Sequence, residues 1–119
     1  MLHITSSEAQ SYSYFDGAVT VTEFNFSDDQ SMNDAEISIH GRYPLTGYAV
    51  NDRSTALISV DSGNCFITIK DAKPKELVVG DRLLIEPGEP YAFTAQDAIT
   101  IRYIATPAWT PSQSRIIND

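Results

Sequence analysis

The sequence is poor in the residues that build disulfides, metal sites and nucleic-acid surfaces. Its 119 residues include one cysteine, two histidines and only eight lysines and arginines against sixteen acidic residues, which gives a net charge of −8. A single cysteine, Cys65, excludes an internal disulfide. Because an anionic surface repels phosphate backbones and anionic lipids, we expect neither nucleic acid nor a membrane as a partner.

Long apolar runs and a secretion signal are missing as well. No run approaches the roughly 20 apolar residues that a membrane span requires. The first residues, "MLHITSSEAQ", have neither the basic start nor the apolar stretch of a signal peptide. We therefore expect a cytoplasmic protein. With 42% hydrophobic residues and a length typical of one domain, the chain is predicted to form a single domain, 1–119, around one core.

Helical periodicity is also missing, whereas apolar and polar residues alternate repeatedly. Runs rich in Ile, Val, Thr, Phe and Tyr alternate with period two at 19–26, 35–43, 55–60, 65–70 and 98–104. Short turn signals separate these runs, among them "SDDQSMND" at 27–34 and "EPGEP" at 86–90. The pattern predicts an all-β domain, a sandwich or a small barrel, with little or no helix.

The predicted strands divide the domain into three parts. Residues 1–30 hold N-terminal strands within "LHIT" and "SYSYF", residues 35–106 form the barrel core, and residues 107–119 form a tail. Two prolines in the tail prevent it from continuing as a central strand past Thr106, and Trp109 is expected to anchor it. Since open edge strands and aromatic termini invite pairing, we expect a homodimer.

The segment from Gly63, "GNCFITIKDAKPKELVVGDRLLIEPGEPYAF", resembles the core of a cupin. The chain is similar to small single-domain cupins of the RmlC-like jelly-roll type, and it shares "GRYPLTGYAVNDRST" (41–55) and "TPAWTPSQ" (106–113) with a group that has no settled function. The resemblance covers residues 35–106. It implies a cupin-type double-stranded β-helix, a jelly-roll barrel, whose interior is the usual functional site.

The resemblance also implies that the metal ligands of the family are replaced. Metal-binding cupins take two histidines and a glutamate from a first motif and one histidine from a second. In the second motif, Gly80 and Gly88 fix the frame, and the histidine position falls on Tyr91. In the first motif, the glutamate position falls on Ala56, and the histidine pair falls on Ala49 and Asn51, or on Val50 and Asp52. A catalytic metal needs three or more converging donors, so no metal and no cofactor are expected.

The remaining reactive side chains give little support for catalysis. His40 alternates with the apolar residues Ile37 and Ile39, which favours a polar residue on the less buried face over a catalytic base. His3 lies in the first few residues. Cys65 precedes Phe66 in a predicted strand, which favours a small, inert, buried side chain. No catalytic residue is assigned.

The barrel interior is predicted to be apolar and aromatic. The resemblance implies that Tyr91 and Phe93 point inward, and period-two alternation places Tyr103 on one face with Ile99 and Ile101. The loop "TGYAVNDRS" (46–54), at the expected mouth, adds polar side chains. The candidate ligand-binding residues are Tyr48, Asn51, Asp52, Tyr91, Phe93 and Tyr103.

Three functions remain open on this basis. The first is a metal-free module that binds a small organic molecule, such as a sugar or a metabolite, in the barrel. The second is a metal-independent isomerase or epimerase in which a tyrosine acts as acid or base. The third is a structural dimerisation domain whose barrel is filled by its own aromatic side chains. A metalloenzyme is the least favoured class.

Overall fold

The molecule consists almost wholly of antiparallel strands. A computed structural model describes residues 3–24 and 31–118. Its strands are β1 (Gln10–Tyr14), β2 (Val19–Glu23), β3 (Asn33–Tyr43), β4 (Tyr48–Asn51), β5 (Thr55–Ser62), β6 (Cys65–Ile69), β7 (Lys75–Leu77), β8 (Arg82–Ile85), β9 (Tyr91–Thr106) and β10 (Ser114–Ile117). One 3-10 turn, Pro111–Gln113, precedes β10. The predicted all-β class with little helix is confirmed. No helix among the described residues has the length and apolar character needed to cross a membrane.

Strand β9 organises the sheet because both of its edges are paired. One edge pairs with β3, from Asn33 opposite Ala105 to Tyr43 opposite Phe93. The other edge pairs with β6 near the start of β9 and with β5 near its end. Since the partner changes partway along a 16-residue strand, the sheet curls around an interior instead of remaining flat.

The alternation of β9 determines which side chains enter that interior. Tyr91, Phe93, Ile101 and Ala105 are buried, whereas the intervening Arg102 is exposed. β5 follows the same rule, and its inward residues Ala56, Ile58 and Val60 are buried in the core. The core contains Ile39, Ala49, Ala56, Ile58, Val60, Cys65, Ile67, Leu77, Ile85, Tyr91, Phe93, Ala95, Ile99 and Ile101.

The two ends of the chain extend the sheet beyond this core. The β1–β2 hairpin adds to β3 through the pairing of β2, and every residue of β1 is exposed. At the other end of the sheet, β10 pairs with β4, from Ser114 opposite Asn51 to Ile117 opposite Tyr48. An exposed edge strand is compatible with the predicted homodimer, which stays a prediction.

Several predicted element boundaries are wrong. His3–Thr5, the described part of "LHIT", contains no strand, and the run predicted at 98–104 belongs to a strand that begins at Tyr91. The predicted loop 46–54 contains β4, because its strand partner β10 comes from the tail, more than 60 residues later, and local sequence does not reveal it. Residues 25–26 of the predicted 19–26 strand, and 27–30 of the predicted turn, lie outside the described residues.

The turn before β4 requires glycine for two reasons. Gly47 has a φ of +71°, and a Cβ there would collide with the carbonyl oxygen of Ile117 at the end of β10. Gly88 has a φ of +86°, but apart from Gly88 and its two chain neighbours no atom of the described residues lies within 4 Å of the place where its Cβ would be. A substitution at Gly88 therefore introduces backbone strain without a steric clash, which makes Gly88 a control for Gly47.

Gly47→Ala should destabilise the protein more than Gly88→Ala. We expect Gly88→Ala to cost about 1 kcal/mol of unfolding free energy, the strain of a left-handed conformation. Gly47→Ala carries that strain and must also displace the β4–β10 connection, so its cost should be about 2 kcal/mol or more. Urea denaturation of both variants provides the measurement, and equal losses would contradict the assigned contact.

Candidate functional site

A cavity of about 250 Å³ lies between β2, β3, β9 and the C-terminal tail. Three exposed residues on its wall, Tyr14, Phe15 and Ile116, mark its entrance. The described residues that line it are Tyr14, Phe15, Val19, Val21, Glu23, Asn33, Ala35, Ile37, Ile39, Tyr43, Asn51, Tyr91, Phe93, Ile101, Tyr103, Trp109, Ser114 and Ile116.

The wall of the cavity is apolar apart from a few uncharged polar groups and one carboxylate. The described lining contains no lysine, arginine, histidine or cysteine, and Glu23 is its one acidic member. Aromatic rings form much of the surface. Tyr91 and Phe93 meet edge to face with ring centroids 5.7 Å apart, and Phe15 and Tyr43 are 6.1 Å apart.

Four tyrosines belong to the described lining of this cavity, of which Tyr14 is exposed, whereas Tyr43 on β3 and Tyr91 and Tyr103 on β9 are buried or half-buried. Burial raises the pKa of Tyr91 well above its ordinary value, and the neighbouring phenols Tyr43 and Tyr103 raise it further. Burial also raises the pKa of Tyr43 and of Tyr103. All three side chains are therefore neutral at physiological pH, and each keeps a proton to donate.

The hydroxyls of Tyr43 and Tyr91 are open to the cavity. Neither makes a hydrogen bond to another described residue. Among those residues, no fully buried side-chain nitrogen or oxygen lacks a partner. The two phenol oxygens must therefore retain accessible surface, and since both side chains line the cavity, that surface faces its interior. A ligand there would meet two hydroxyls with donor and acceptor capacity available.

The third hydroxyl, that of Tyr103, is connected to a buried polar network. Asn51 Nδ2 lies 3.4 Å from Tyr103 Oη. Asn51 Oδ1 accepts hydrogen bonds from the backbone N–H groups of Arg53 and Ser54, at 3.1 and 3.0 Å, and from Gln113 Nε2 at 2.6 Å. The hydrogen bond from Asn51 partly offsets the effect of burial on the pKa of Tyr103. Asn51 thus links the cavity wall to the tail.

The tail closes one side of the cavity. Trp109 lines it, and the backbone N–H of Trp109 donates to Asn33 Oδ1 at 3.2 Å. Ser54 Oγ donates to the carbonyl oxygen of Pro107 at 2.6 Å. These contacts hold the segment after β9 against the barrel. The expectation that Trp109 anchors the tail therefore fits its position.

The structure brings four of the six candidate ligand-binding residues to the cavity and leaves two outside it. Asn51, Tyr91, Phe93 and Tyr103 line the wall. Tyr48 lies beneath the Arg42 guanidinium, 5.9 Å from the ring centroid. Asp52 is exposed and pairs with Arg115 at 2.8 Å, which lowers the pKa of its carboxyl. Both side chains instead support the turn and strand around β4.

Sequence reasoning overlooked several wall residues. Glu23 follows Val19 and Val21 at spacings of two on the inward face of β2, and Asn33 precedes Ala35 in the same way on β3, so period-two alternation could have identified both. Tyr43 sits after the β3 register shift but still faces the cavity. Trp109 and Ser114 belong to the tail, and no local pattern predicted where the tail would pack.

The residues that the cupin resemblance aligns with metal ligands do not offer a set of metal donors. Ala49 and Ala56 are buried in the hydrophobic core, Asn51 Oδ1 is occupied by three donors, and Tyr91 is a neutral phenol. Within the described ranges, no three His, Cys, Asp or Glu side chains cluster closely enough to hold a metal.

The other reactive side chains lie away from the cavity. His40 is exposed, outside the lining. Cys65 is buried in the core, where desolvation raises the pKa of its thiol to about 11, so the thiolate is scarce at neutral pH.

Comparison with known proteins supports the fold. No family model and no curated protein sequence matches the chain. Among solved structures, it is similar to Pac13, a nucleoside dehydratase from Streptomyces, with a TM-score of 0.83 and 14% identity over 99% of this chain and 92% of that one. It is also similar to the polyketide cyclase RemF from Streptomyces resistomycificus, with a TM-score of 0.76 and 15% identity over 98% and 85% of the two chains. It is similar as well to oxalate decarboxylase from Bacillus subtilis, with a TM-score of 0.77 and 9% identity over 96% of this chain and 31% of that one. The predicted cupin-type barrel is confirmed, and at such identities these likenesses establish the fold alone.

The buried phenols should make the protein sensitive to alkali. An unfolded tyrosine ionises near pH 10, whereas burial raises the folded-state pKa of Tyr91, Tyr43 and Tyr103. The folded state therefore holds more protons above about pH 10, so their contribution to stability is complete below that pH and is lost as pH rises through the folded pKa. Tyr91→Phe should make the decline of unfolding free energy between about pH 9 and about pH 11 shallower.

Urea denaturation across this pH range provides the measurement. Tyr12→Phe is the matched control, since Tyr12 is exposed on β1 and lies outside the cavity. If both substitutions changed the slope equally, the assigned burial of Tyr91 would be wrong.

Proposed function

We propose that this barrel binds a small, neutral organic molecule in its cavity and that it does so without a metal ion or another cofactor. The observation that carries the proposal is the convergence of three neutral phenols on one apolar cavity. Apolar walls with a few placed polar groups are typical of sites for small molecules. A barrel that served only as a structural unit would gain more from apolar side chains that filled this space.

The charge and size of the cavity narrow the ligand class. No cationic side chain belongs to its described lining, so a phosphate or carboxylate would be buried without a partner. Its volume of about 250 Å³ lies slightly below the range of roughly 300–1,000 Å³ that is typical of ligand pockets. The cavity therefore favours an uncharged molecule with one or two rings over a dinucleotide or a long chain.

A nucleoside meets these requirements and has structural support. Pac13 is a nucleoside dehydratase, and variants of it with one histidine or one tyrosine substituted have been solved with uridine. Uridine is uncharged, its planar ring suits an aromatic wall, and its carbonyl and hydroxyl oxygens can accept from phenols. We infer a nucleoside of this kind as the ligand of the present cavity.

An enzymatic function is the second candidate, because the same cavity offers a carboxylate as well as phenols. In a dehydration of a substrate with a carbonyl group, Glu23 would remove a proton from the carbon next to that carbonyl, the C–H electron pair would form a double bond, and a phenol would protonate the departing hydroxyl to give water. The described lining contains no histidine, so an isomerase or epimerase with a histidine base has no support here. A tyrosine acting as acid or base remains compatible with the cavity.

Isothermal titration calorimetry with uridine tests the binding proposal. We expect one uridine per chain, with the same affinity after treatment with EDTA. Tyr43→Phe and Tyr91→Phe should each weaken binding about threefold to tenfold, which corresponds to one lost neutral hydrogen bond. Tyr12→Phe is the matched control, since its hydroxyl lies outside the cavity and donates to Gln10.

The outcomes separate the candidate functions. Absence of uridine binding, or binding that survives both cavity substitutions unchanged, would contradict a nucleoside site in this cavity. Loss of binding after EDTA treatment would contradict metal independence. Mass spectrometry of uridine after prolonged incubation adds a comparison, since a product lacking one water would favour the enzymatic candidate, whereas intact uridine is the result expected of a binding module.

A further inference from the structure

Asn51 is nearly fully buried, at 6% exposure, where β4 ends against the tail. Its backbone is held from two sides. The carbonyl oxygen accepts from the N–H of Gly88, at 2.8 Å, and the following residue, Asp52, donates its N–H to the carbonyl oxygen of Gln113, at 3.0 Å. The side chain therefore projects toward the cavity from a fixed support.

The orientation of the Asn51 carboxamide follows from its partners. Two backbone N–H groups, of Arg53 and Ser54, point at the same side-chain atom, and a backbone N–H can only donate. That atom must be the oxygen. The opposite atom, Nδ2, is then a donor, and it faces the Tyr103 hydroxyl at 3.4 Å.

Gln113 fixes the same orientation from the tail. Its Oε1 accepts from the backbone N–H of Thr110 at 3.0 Å, so Nε2 must be the atom that faces Asn51 Oδ1 and Ser54 Oγ, each at 2.6 Å. The Asn51 oxygen thus has three donors and no freedom to exchange places with Nδ2.

The consequence reaches the Tyr103 hydroxyl. Because Asn51 Nδ2 donates to Tyr103 Oη, the phenol oxygen acts as acceptor in this contact, and its own proton must point elsewhere. No other described residue is hydrogen-bonded to this hydroxyl, and the side chain lines the cavity. The available direction for the proton is into the cavity.

We propose that Asn51 is a positioning residue, which directs the Tyr103 hydroxyl proton at the ligand and so makes the site select molecules with an oxygen or nitrogen acceptor at that point. This inference rests on the proposed binding function. The three hydroxyls then differ in the hydrogen bonds that they can make with a ligand. Those of Tyr43 and Tyr91 can donate or accept, whereas that of Tyr103 donates. We call this difference the polarity of the site.

Asn51→Asp tests this polarity with little change in shape. An aspartate can accept the three hydrogen bonds that Asn51 Oδ1 accepts, but it has no proton for Tyr103. The Tyr103 hydroxyl would then donate to the carboxylate, and its proton would turn away from the cavity. The substitution therefore reverses one hydrogen bond while its supporting contacts remain.

A double-mutant cycle with uridine gives the first readout. We expect Asn51→Asp and Tyr103→Phe each to weaken uridine binding roughly tenfold in calorimetry. The double variant should bind no more weakly than the weaker single variant, because both substitutions remove the same donated proton. Losses that multiply in the double variant would overturn the proposal.

Asn33→Asp is the control for the added charge. Asn33 is buried in the same cavity wall, and its Oδ1 accepts from the Trp109 backbone, a contact that aspartate keeps. Any loss of affinity that charge alone causes in this variant should persist when Tyr103 is phenylalanine. By contrast, Asn51→Asp should cause no further loss of uridine affinity when Tyr103 is phenylalanine. A further loss in that double variant would overturn the proposal.

A second readout needs no ligand. NMR of the free protein labelled with ¹³C at tyrosine Cζ identifies the Tyr103 signal by its loss in Tyr103→Phe. In Asn51→Asp this signal should move downfield at neutral pH, as for a phenol that donates to a carboxylate. An unchanged signal in a folded Asn51→Asp protein would overturn the assigned polarity. If wild-type protein fails to bind uridine but the signal moves, the nucleoside proposal fails and the Asn51–Tyr103 contact stands.

Discussion

The cavity depends on the paired edges of β9. This strand pairs with β3 along one edge and with β6 and then β5 along the other. Its inward side chains therefore lie beside three different strands. The period-two alternation of a strand places Tyr91, Phe93, Ile101 and Tyr103 in one interior. A single strand therefore contributes two of the four tyrosines in the described lining, together with Phe93 and Ile101.

The parts of this arrangement that depend on residues close together in sequence could be predicted. Alternating residues and the turn signals between them predicted the all-β class, and alternation along 98–104 placed Tyr103 on the same face as Ile99 and Ile101. Tyr91 and Phe93 required the cupin resemblance to fix their frame. Asn51 was predicted as a ligand-binding residue because it lies in the segment expected to form a loop at the barrel mouth. It is in fact the last residue of β4, and its buried side chain accepts several hydrogen bonds.

The remaining parts of the site could not be predicted because they depend on contacts distant in sequence. Gln113 meets Asn51 across 62 positions, and Trp109 meets Asn33 across 76. No local spacing shows that a proline-rich tail will turn back, form β10 and pair with β4. The positions of Tyr48 and Asp52 outside the described cavity lining have the same origin, since the predicted mouth loop that contains them is a strand and a turn held from outside by Arg42 and Arg115.

If the cavity is a binding site for a neutral molecule, a crystal structure of the protein grown with uridine should reveal that molecule in place. We expect one uridine inside the barrel, with an acceptor atom within hydrogen-bond distance of Tyr103 Oη and with the Asn51 carboxamide still held by Arg53, Ser54 and Gln113. A barrel interior filled by its own side chains, or uridine bound only on the outer surface, would contradict this expectation.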